Sequence, residues 1–220
     1  MTSERGVSVT GTGRINVSPD EADVRLGVSV VKATVGDARQ VAAEVSERIL
    51  AAVTARGVAG PDIQTASLEV QPEMEYPDGR PVVRGQHVSH QYAIRVRDLA
   101  QLGPVIDDAI GAGATTVDSV TFRSSRREEA ESEARSLAMA AARAKAEQLA
   151  SKAGVRLGRV LSIAEGAVAG PPHPMPMFRM ATMAEAAPTP IESGSLEVNA
   201  SVSVTWELVD QPEAAPAIAG

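Results

Sequence analysis

Apolar and polar residues alternate along two long segments, one near each end of the chain. Between residues 196 and 208, leucine, valine, alanine and tryptophan alternate with glutamate, asparagine, serine and threonine. Residues 7–17 show the same alternation, with glycine at positions 11 and 13. Because successive side chains of a strand point to opposite faces of a sheet, both segments predict half-buried strands. We expect Gly11 and Gly13 to permit a bend or the close approach of another element.

Further strands are predicted between these two segments. Their alternating patterns cover residues 22–34, 63–75, about 83–97, 115–123 and 157–165. A Pro-Asp turn at 19–20 separates the first two strands, which we expect to pair as an antiparallel hairpin. The Tyr-Pro-Asp-Gly run at 76–79 predicts a second turn, because proline presets φ and glycine tolerates a positive φ.

Two segments have the 3.6-residue period of a helix and recognisable ends. Residues 36–56 carry an apolar stripe that includes Val41, Val45 and Ile49, and Gly57 is expected to end this helix. A shorter helix is predicted over 98–111, with Asp98 as its N-cap.

A third helix, predicted over residues 126–153, is long and rich in alanine. Ser125 and Glu128 have the spacing of a capping box at its start. Alanines occupy more than one side of this helix, at positions 130, 134, 138, 141, 142 and 144. One side can pack on a sheet and another can meet a second subunit at short range. The alternative is a single buried face, with alanine present for its helix propensity.

Together these elements predict an α+β fold in which a long antiparallel sheet is backed by helices. A possible internal repeat supports this class. The strand–helix–strand order at 22–75 recurs at 115–165, and each helix is followed by a Gly-Val pair.

Composition narrows the classes of function. The chain of 220 residues has a net charge of −7 and no cysteine. The acidic balance disfavours nucleic acids and anionic membranes as partners, and the lack of cysteine excludes thiolate catalysis and zinc–thiolate sites. No apolar run is long enough to span a membrane, and the N-terminal residues lack the apolar core of a secretory signal. We therefore expect a soluble, cytoplasmic protein.

The segment 166–193 departs from the regular pattern because it is rich in proline and methionine. One histidine and four methionines fall close together in it: His173, Met175, Met177, Met180 and Met183. Thioethers suit Cu(I), so these residues are candidate metal ligands. The alternative, which we favour, is an apolar loop that packs on a neighbouring subunit or partner. Residues 210–220 are expected to form a disordered tail.

Other candidate sites are weaker. His87 and His90 stand three apart on a predicted strand, so they should point to opposite faces and not share a metal. Asp20, Glu21 and Asp23 lack the remaining ligands of a calcium loop and fit a charged turn better. The sequence indicates no catalytic residue, no cofactor-binding residue and no cofactor.

Five segments in the same order resemble the SIMPL-domain family of YggE-like bacterial proteins of unknown function. They cover residues 7–28, 62–81, 96–122, 142–165 and 191–208. The resemblance implies a single SIMPL-like domain over 6–209, an α+β fold, and homo-oligomers that are ring-like in some members. Many relatives are exported to the periplasm or envelope and are linked to stress tolerance, and no catalytic residues are established for the family.

These observations predict a non-enzymatic protein that assembles with itself, and the resemblance adds a ring-like form and a link to stress response. The loop at 166–193 would contact a neighbour or a protein partner. The alternative function is the handling of Cu(I) or a small ligand by the methionine-rich loop.

Overall fold

The computed structural model describes residues 5–166 and 192–211. Within these ranges strand is the more abundant secondary structure, at 48% against 36% for helix. The strands are β1 (Gly6–Val17), β2 (Glu21–Lys32), β3 (Ile63–Glu75), β4 (Val82–Val96), β5 (Thr116–Arg123), β6 (Val155–Gly166) and β7 (Leu196–Asp210). The helices are α1 (Val35–Ala55), α2 (Leu102–Gly111) and α3 (Arg127–Lys152). The α+β class is confirmed, and the antiparallel strands are divided between two sheets.

The chain forms two compact units. The described residues of the first unit are 5–17, 126–166 and 195–211, which contain β1, α3, β6 and β7. The second unit comprises residues 18–125 with 192–194, and it contains β2 to β5, α1 and α2. The prediction of a single domain over 6–209 stays a prediction.

The first unit is a three-stranded sheet covered by α3. β7 lies between β1 and β6 and pairs with both in antiparallel register, so that Val9 faces Val204. One face of β7 is buried through its valines and Trp206. Against this face α3 buries every fourth residue, all of them alanine: 130, 134, 138, 142, 146 and 150.

Alanine on the helix is matched by glycine on β1. A β-carbon at position 11 would lie 2.0 Å from the carbonyl oxygen of Ala138, and one at position 13 would lie 2.1 Å from that of Ala134. Both distances are far below van der Waals contact, so the backbone of α3 rests directly on β1. The predicted close approach at Gly11 and Gly13 is confirmed.

The second unit is a four-stranded antiparallel sheet in the order β3-β4-β2-β5. Its core joins apolar residues of the central strands to those of α1 and α2, including Leu26, Ile49, Ile94 and Val105. Thr34 caps α1 by accepting a hydrogen bond from the backbone N–H of Asp37. Gly57, at a φ of 87°, follows the helix as predicted.

The predicted β1–β2 hairpin is wrong. β1 pairs with β7, whereas β2 lies between β4 and β5. Alternation identifies a strand and its buried face but not the strand with which it pairs. Here β1 does not pair with the next strand along the chain. The possible repeat is not reflected in the sheets either, because β5 belongs to the four-stranded sheet and β6 to the three-stranded one.

The predicted capping box is also wrong. The N-cap of α3 is Arg126, which makes no side-chain capping bond. Both the backbone N–H and the hydroxyl of Ser125 donate instead to the carboxylate of Asp20. Ser125 is therefore committed to a residue distant in sequence, which spacing could not reveal.

Candidate functional site

A charged face lies on the four-stranded sheet, opposite the side that carries the helices. On β2 the apolar Ala22, Val24 and Leu26 are buried in the core, so the intervening Asp23 and Arg25 belong to the other face. Pairing across the sheet continues this face along the neighbouring strands through Arg95, Ser119, Thr121 and Arg123. We call this set, together with Glu21, the charged face.

Asp23 lies at the centre of the ion pairs on the charged face. Its Oδ1 accepts a hydrogen bond from Arg95 Nε at 3.0 Å and its Oδ2 accepts one from Arg123 Nη1 at 2.7 Å. Arg95 Nε also lies 3.6 Å from Glu21 Oε2. Burial raises the pKa of Asp23, but the hydrogen bonds from the two guanidinium groups outweigh it and hold the pKa below its ordinary value. Asp23 is thus an ionised structural partner, a poor proton acceptor.

A second ion pair borders the charged face where β3 begins. Arg97 Nε and Nη2 donate to the two carboxylate oxygens of Asp62 at 2.8 and 2.7 Å, a bidentate pair. These hydrogen bonds lower the pKa of Asp62. Asp62 is therefore held as a carboxylate and is already matched by a cation.

Between these ion pairs the charged face contains a depression of about 340 Å³. Its lining includes Arg25, Arg95, Gln64, Ser119 and Thr121. Within the part of the chain that the structure describes, the side chain of Arg25 makes no hydrogen bond or ion pair. The depression is therefore polar and contains a guanidinium that is not matched by a carboxylate.

His87 lies on the same side of the sheet, beyond the depression. Its Nε2 is 2.6 Å from Ser29 Oγ and its Nδ1 is 3.3 Å from Gln71 Nε2. Sequence reasoning missed this Ser–His contact because it depends on the pairing of β2 with β4. A Ser–His nucleophile requires a third group that orients the imidazole and donors that stabilise an oxyanion. An amide occupies the first role here, so the contact resembles an ordinary polar pair on a sheet.

His90 lies on the opposite side, as predicted. Its Nδ1 is 3.2 Å from Ser46 Oγ on α1 and 3.1 Å from the Tyr92 hydroxyl. Burial lowers the pKa of His90. The prediction of a partly buried, hydrogen-bonded histidine is confirmed, and the two histidines do not form a joint metal site.

The methionine cluster with His173 lies outside the described residues, and so do most of the loop at 166–193 and most of the predicted tail. Within the described ranges, histidine, aspartate and glutamate nowhere form a group of three placed to hold a metal ion. The three acidic residues at 20, 21 and 23 instead contact serine or arginine side chains. The charged-turn interpretation holds for Asp20 alone, because Glu21 and Asp23 belong to strand β2.

The helix α3 presents less free surface than its composition suggests. Of the six alanines that led to the two-sided prediction, those at 130, 134, 138 and 142 are buried against the sheet. Ala141 is half-buried and Ala144 is exposed. The single-buried-face alternative accounts for most of the alanine.

An apolar arm extends from the four-stranded sheet. β2 pairs with β4 only as far as Lys32 and Gln86, whereas the β3–β4 pairing continues to Glu75 and Val82. The extension beyond β2 is therefore residues 73–85, and we call it, together with the adjoining positions 68–72 and 86, the hairpin arm. It exposes a set of large apolar side chains, which are Leu68, Val70, Met74, Tyr76, Val82 and Val83.

The hairpin arm also carries charges of both signs. Glutamates occur on β3 at positions 69, 73 and 75, and arginines follow at positions 80 and 84. Arg84 Nη1 lies 3.7 Å from Glu75 Oε1, and both side chains are well exposed. Such an exposed pair contributes little to stability, so these charges are free to meet another molecule.

None of the helices in the described ranges is both long and apolar enough to cross a lipid bilayer. Fold and surfaces together define an α+β protein with an ion-paired sheet face and an exposed apolar hairpin. Residues 7–206 match the family model of SIMPL, a protein of unknown function (DUF541). The chain belongs to the SIMPL family.

Two relatives illustrate the likeness. The chain is 35% identical over 212 residues to the 26 kDa periplasmic immunogenic protein of Brucella abortus (strain S19), covering 92% of this chain and 84% of the relative. It is 28% identical over 214 residues to the uncharacterized protein YggE of Escherichia coli (strain K12), covering 94% and 86%. The expected resemblance is confirmed.

Proposed function

We propose that this protein is a non-enzymatic, self-assembling protein and that the hairpin arm is a contact between copies. The observation that supports it is the exposure of large apolar side chains on one short hairpin. Leu68 is 60% exposed and Val70 is 49% exposed, although both stand in the middle of a strand. Several large apolar side chains exposed on one short segment are typical of an interaction site.

The occupant we propose is a second copy of this chain, because the charges of the arm are self-complementary. A two-fold interface brings the same patch of both subunits together, so the patch must match itself. Acidic Glu69, Glu73 and Glu75 and basic Arg80 and Arg84 lie on one arm. Antiparallel packing of two arms can place the acids of one copy against the arginines of the other.

Side-chain packing supports this contact better than pairing of strand edges. β3 is the outer strand of its sheet, and Pro72 stands near the centre of the arm's part of it. Proline has no N–H to donate, so an added strand would lose a hydrogen bond there. Proline at a free edge is a common protection against edge-to-edge pairing. We therefore assign the contact to the apolar side chains.

Light scattering at micromolar concentration tests the proposal. Wild-type protein should have a mass that is a multiple of 22.8 kDa. The double substitution Leu68→Ser and Val70→Ser should shift the mass toward the monomer, because it removes apolar surface from the contact.

Val160→Ser with Ile163→Ser is the matched control. These β6 residues are 45% and 57% exposed, so the change in exposed apolar surface is similar, but they lie in the other unit. This variant should keep the wild-type mass. A monomeric wild type, or equal masses for the two double variants, would refute the assigned contact.

Several finer features of the proposal come from the sequence and from its resemblance to the SIMPL family. A role of the loop at 166–193 in contacting a partner, a ring-like assembly, a link to stress response and a cytoplasmic location are our predictions. The Brucella relative is named as periplasmic. Cell fractionation, followed by detection with an antibody to this chain, shows whether the protein is in the cytoplasm or the periplasm. Recovery in the periplasmic fraction would contradict the cytoplasmic prediction.

A further inference from the structure

The depression on the charged face is lined by polar and charged side chains that the proposed self-assembly does not involve. We propose that it binds a small hydroxylated carboxylate, with Arg25 as the ion-pair partner of the ligand's carboxylate. This inference concerns the sheet face and is independent of the hairpin arm.

The first argument is the balance of charge. The charged residues that line the depression are Arg25, Arg95, Asp23 and Asp62. Arg95, Asp23 and Asp62 all take part in ion pairs, whereas the side chain of Arg25 makes none within the described part of the chain. A guanidinium without a carboxylate partner favours a ligand that carries a carboxylate.

The second argument is the space beside Arg25. In the sheet register Arg25 lies between Ala93 on β4 and Ser119 on β5. Directly opposite residues on one face are about 5 Å apart, so two short side chains leave room on both sides of the guanidinium. The resulting volume of about 340 Å³ lies at the small end of the range for ligand pockets.

The third argument is the supply of polar groups for the rest of the ligand. Ser119 and Thr121 contribute hydroxyl groups and Gln64 contributes an amide to the lining. These groups both donate and accept hydrogen bonds, which suits ligand hydroxyls. Arg95 uses its Nε for both of its carboxylate contacts, so its terminal nitrogens are available as further donors. Arginine forms short, strong hydrogen bonds with carboxylates.

An acidic residue near Arg25 in the sheet, Asp118, does not pair with it. Asp118 is the extra residue of the β-bulge that precedes Ser119. Asp118 and Arg25 make no ion pair in the described part of the chain. Asp118→Asn removes a competing anion from the neighbourhood and should leave binding unchanged or tighten it.

Isothermal titration calorimetry with sodium gluconate tests the inference, and glucose serves as the uncharged counterpart. Wild-type protein should bind gluconate in a saturable way and bind glucose more weakly. Arg25→Gln should weaken gluconate binding about tenfold or more, because a charge-assisted hydrogen bond is lost. Arg156→Gln, at an exposed arginine of β6, is the control and should leave affinity unchanged.

Three outcomes would overturn the inference. They are no saturable heat with gluconate, equal affinity in wild type and Arg25→Gln, and equal affinity for chloride and gluconate. Circular dichroism confirms that Arg25→Gln is folded. Light scattering should show an unchanged particle mass, since Arg25 lies outside the hairpin arm. Failure of this inference is therefore distinguishable from failure of the self-assembly proposal.

Discussion

At the scale of single residues, the two histidines show how strand alternation places neighbouring side chains on opposite faces of a sheet. His87 and His90 are three positions apart, yet one contacts Ser29 on the charged side and the other contacts Ser46 of α1 on the opposite side. The alternation could be inferred from the sequence. The serine partners could not, because they come from other elements and depend on the strand register.

The position of His90 predicts a pH-dependent stability. Burial lowers its pKa in the folded state, so the unfolded chain binds more protons over the interval between the folded-state pKa and about 6.5. Stability should therefore fall as pH drops below about 6.5 and should level off below the folded-state pKa. Urea unfolding at a series of pH values measures this slope.

His90→Gln removes the titrating group but keeps a polar side chain. The variant should show a smaller loss of unfolding free energy between pH 7.5 and 5.5 than wild type, whatever its stability at neutral pH. If both proteins lose the same amount, the pH dependence arises elsewhere.

At the scale of elements, the contact of α3 with β1 depends on pairing small residues with small residues. An alanine row on the helix and two glycines on the strand bring the backbones together. Such a contact has few large side chains, so its stability depends on fit more than on bulk. This explains how a chain with only 2% aromatic residues forms a packed sheet-and-helix layer.

Gly11→Val should destabilise the first unit. Its β-carbon would overlap the carbonyl oxygen of Ala138, which belongs to the helix backbone and cannot move as a side chain does. Overpacking of this kind costs about 1–3 kcal/mol, occasionally more. Thermal unfolding followed by circular dichroism should show a lower midpoint.

Gly166→Ala is the control for the same unit. An added β-carbon there would meet its nearest neighbour, the carbonyl oxygen of Ser201, at 3.9 Å, which is ordinary contact. The control should unfold within about 0.5 kcal/mol of wild type. A Gly11→Val protein as stable as this control would show that the backbone contact is less close than described.

Secondary structure was largely predictable from the sequence, and strand pairing was not. Each predicted strand and helix has a counterpart within a few residues, because the periods of 2 and 3.6 are properties of local sequence. The partner of β1 is β7, almost the whole chain away, and no local pattern contains that information. For the same reason the ion pairs of Asp23, with partners on two other strands, were not foreseen.

At the scale of the whole molecule, apolar and charged surface play different roles in the proposed assembly. Hydrophobic burial would supply the free energy of the contact, and the charges of the hairpin arm would set the relative orientation of two copies. Exposed charges are screened by salt, whereas burial of apolar surface is not.

The assembly should therefore persist at about 1 M sodium chloride, where the Debye length is about 3 Å. Light scattering across a salt series measures the mass directly. Dissociation to 22.8 kDa at high salt would instead assign the contact to ion pairs and contradict the apolar arm as its main source of affinity.

The single tryptophan of this chain has a practical value for further work. Trp206 is only 5% exposed and lies in the core of the first unit, while the second unit contains tyrosines but no tryptophan. Excitation near the red edge of indole absorption will therefore report on one unit alone. The wild-type chain already contains a native fluorophore for following that unit, without any engineered label.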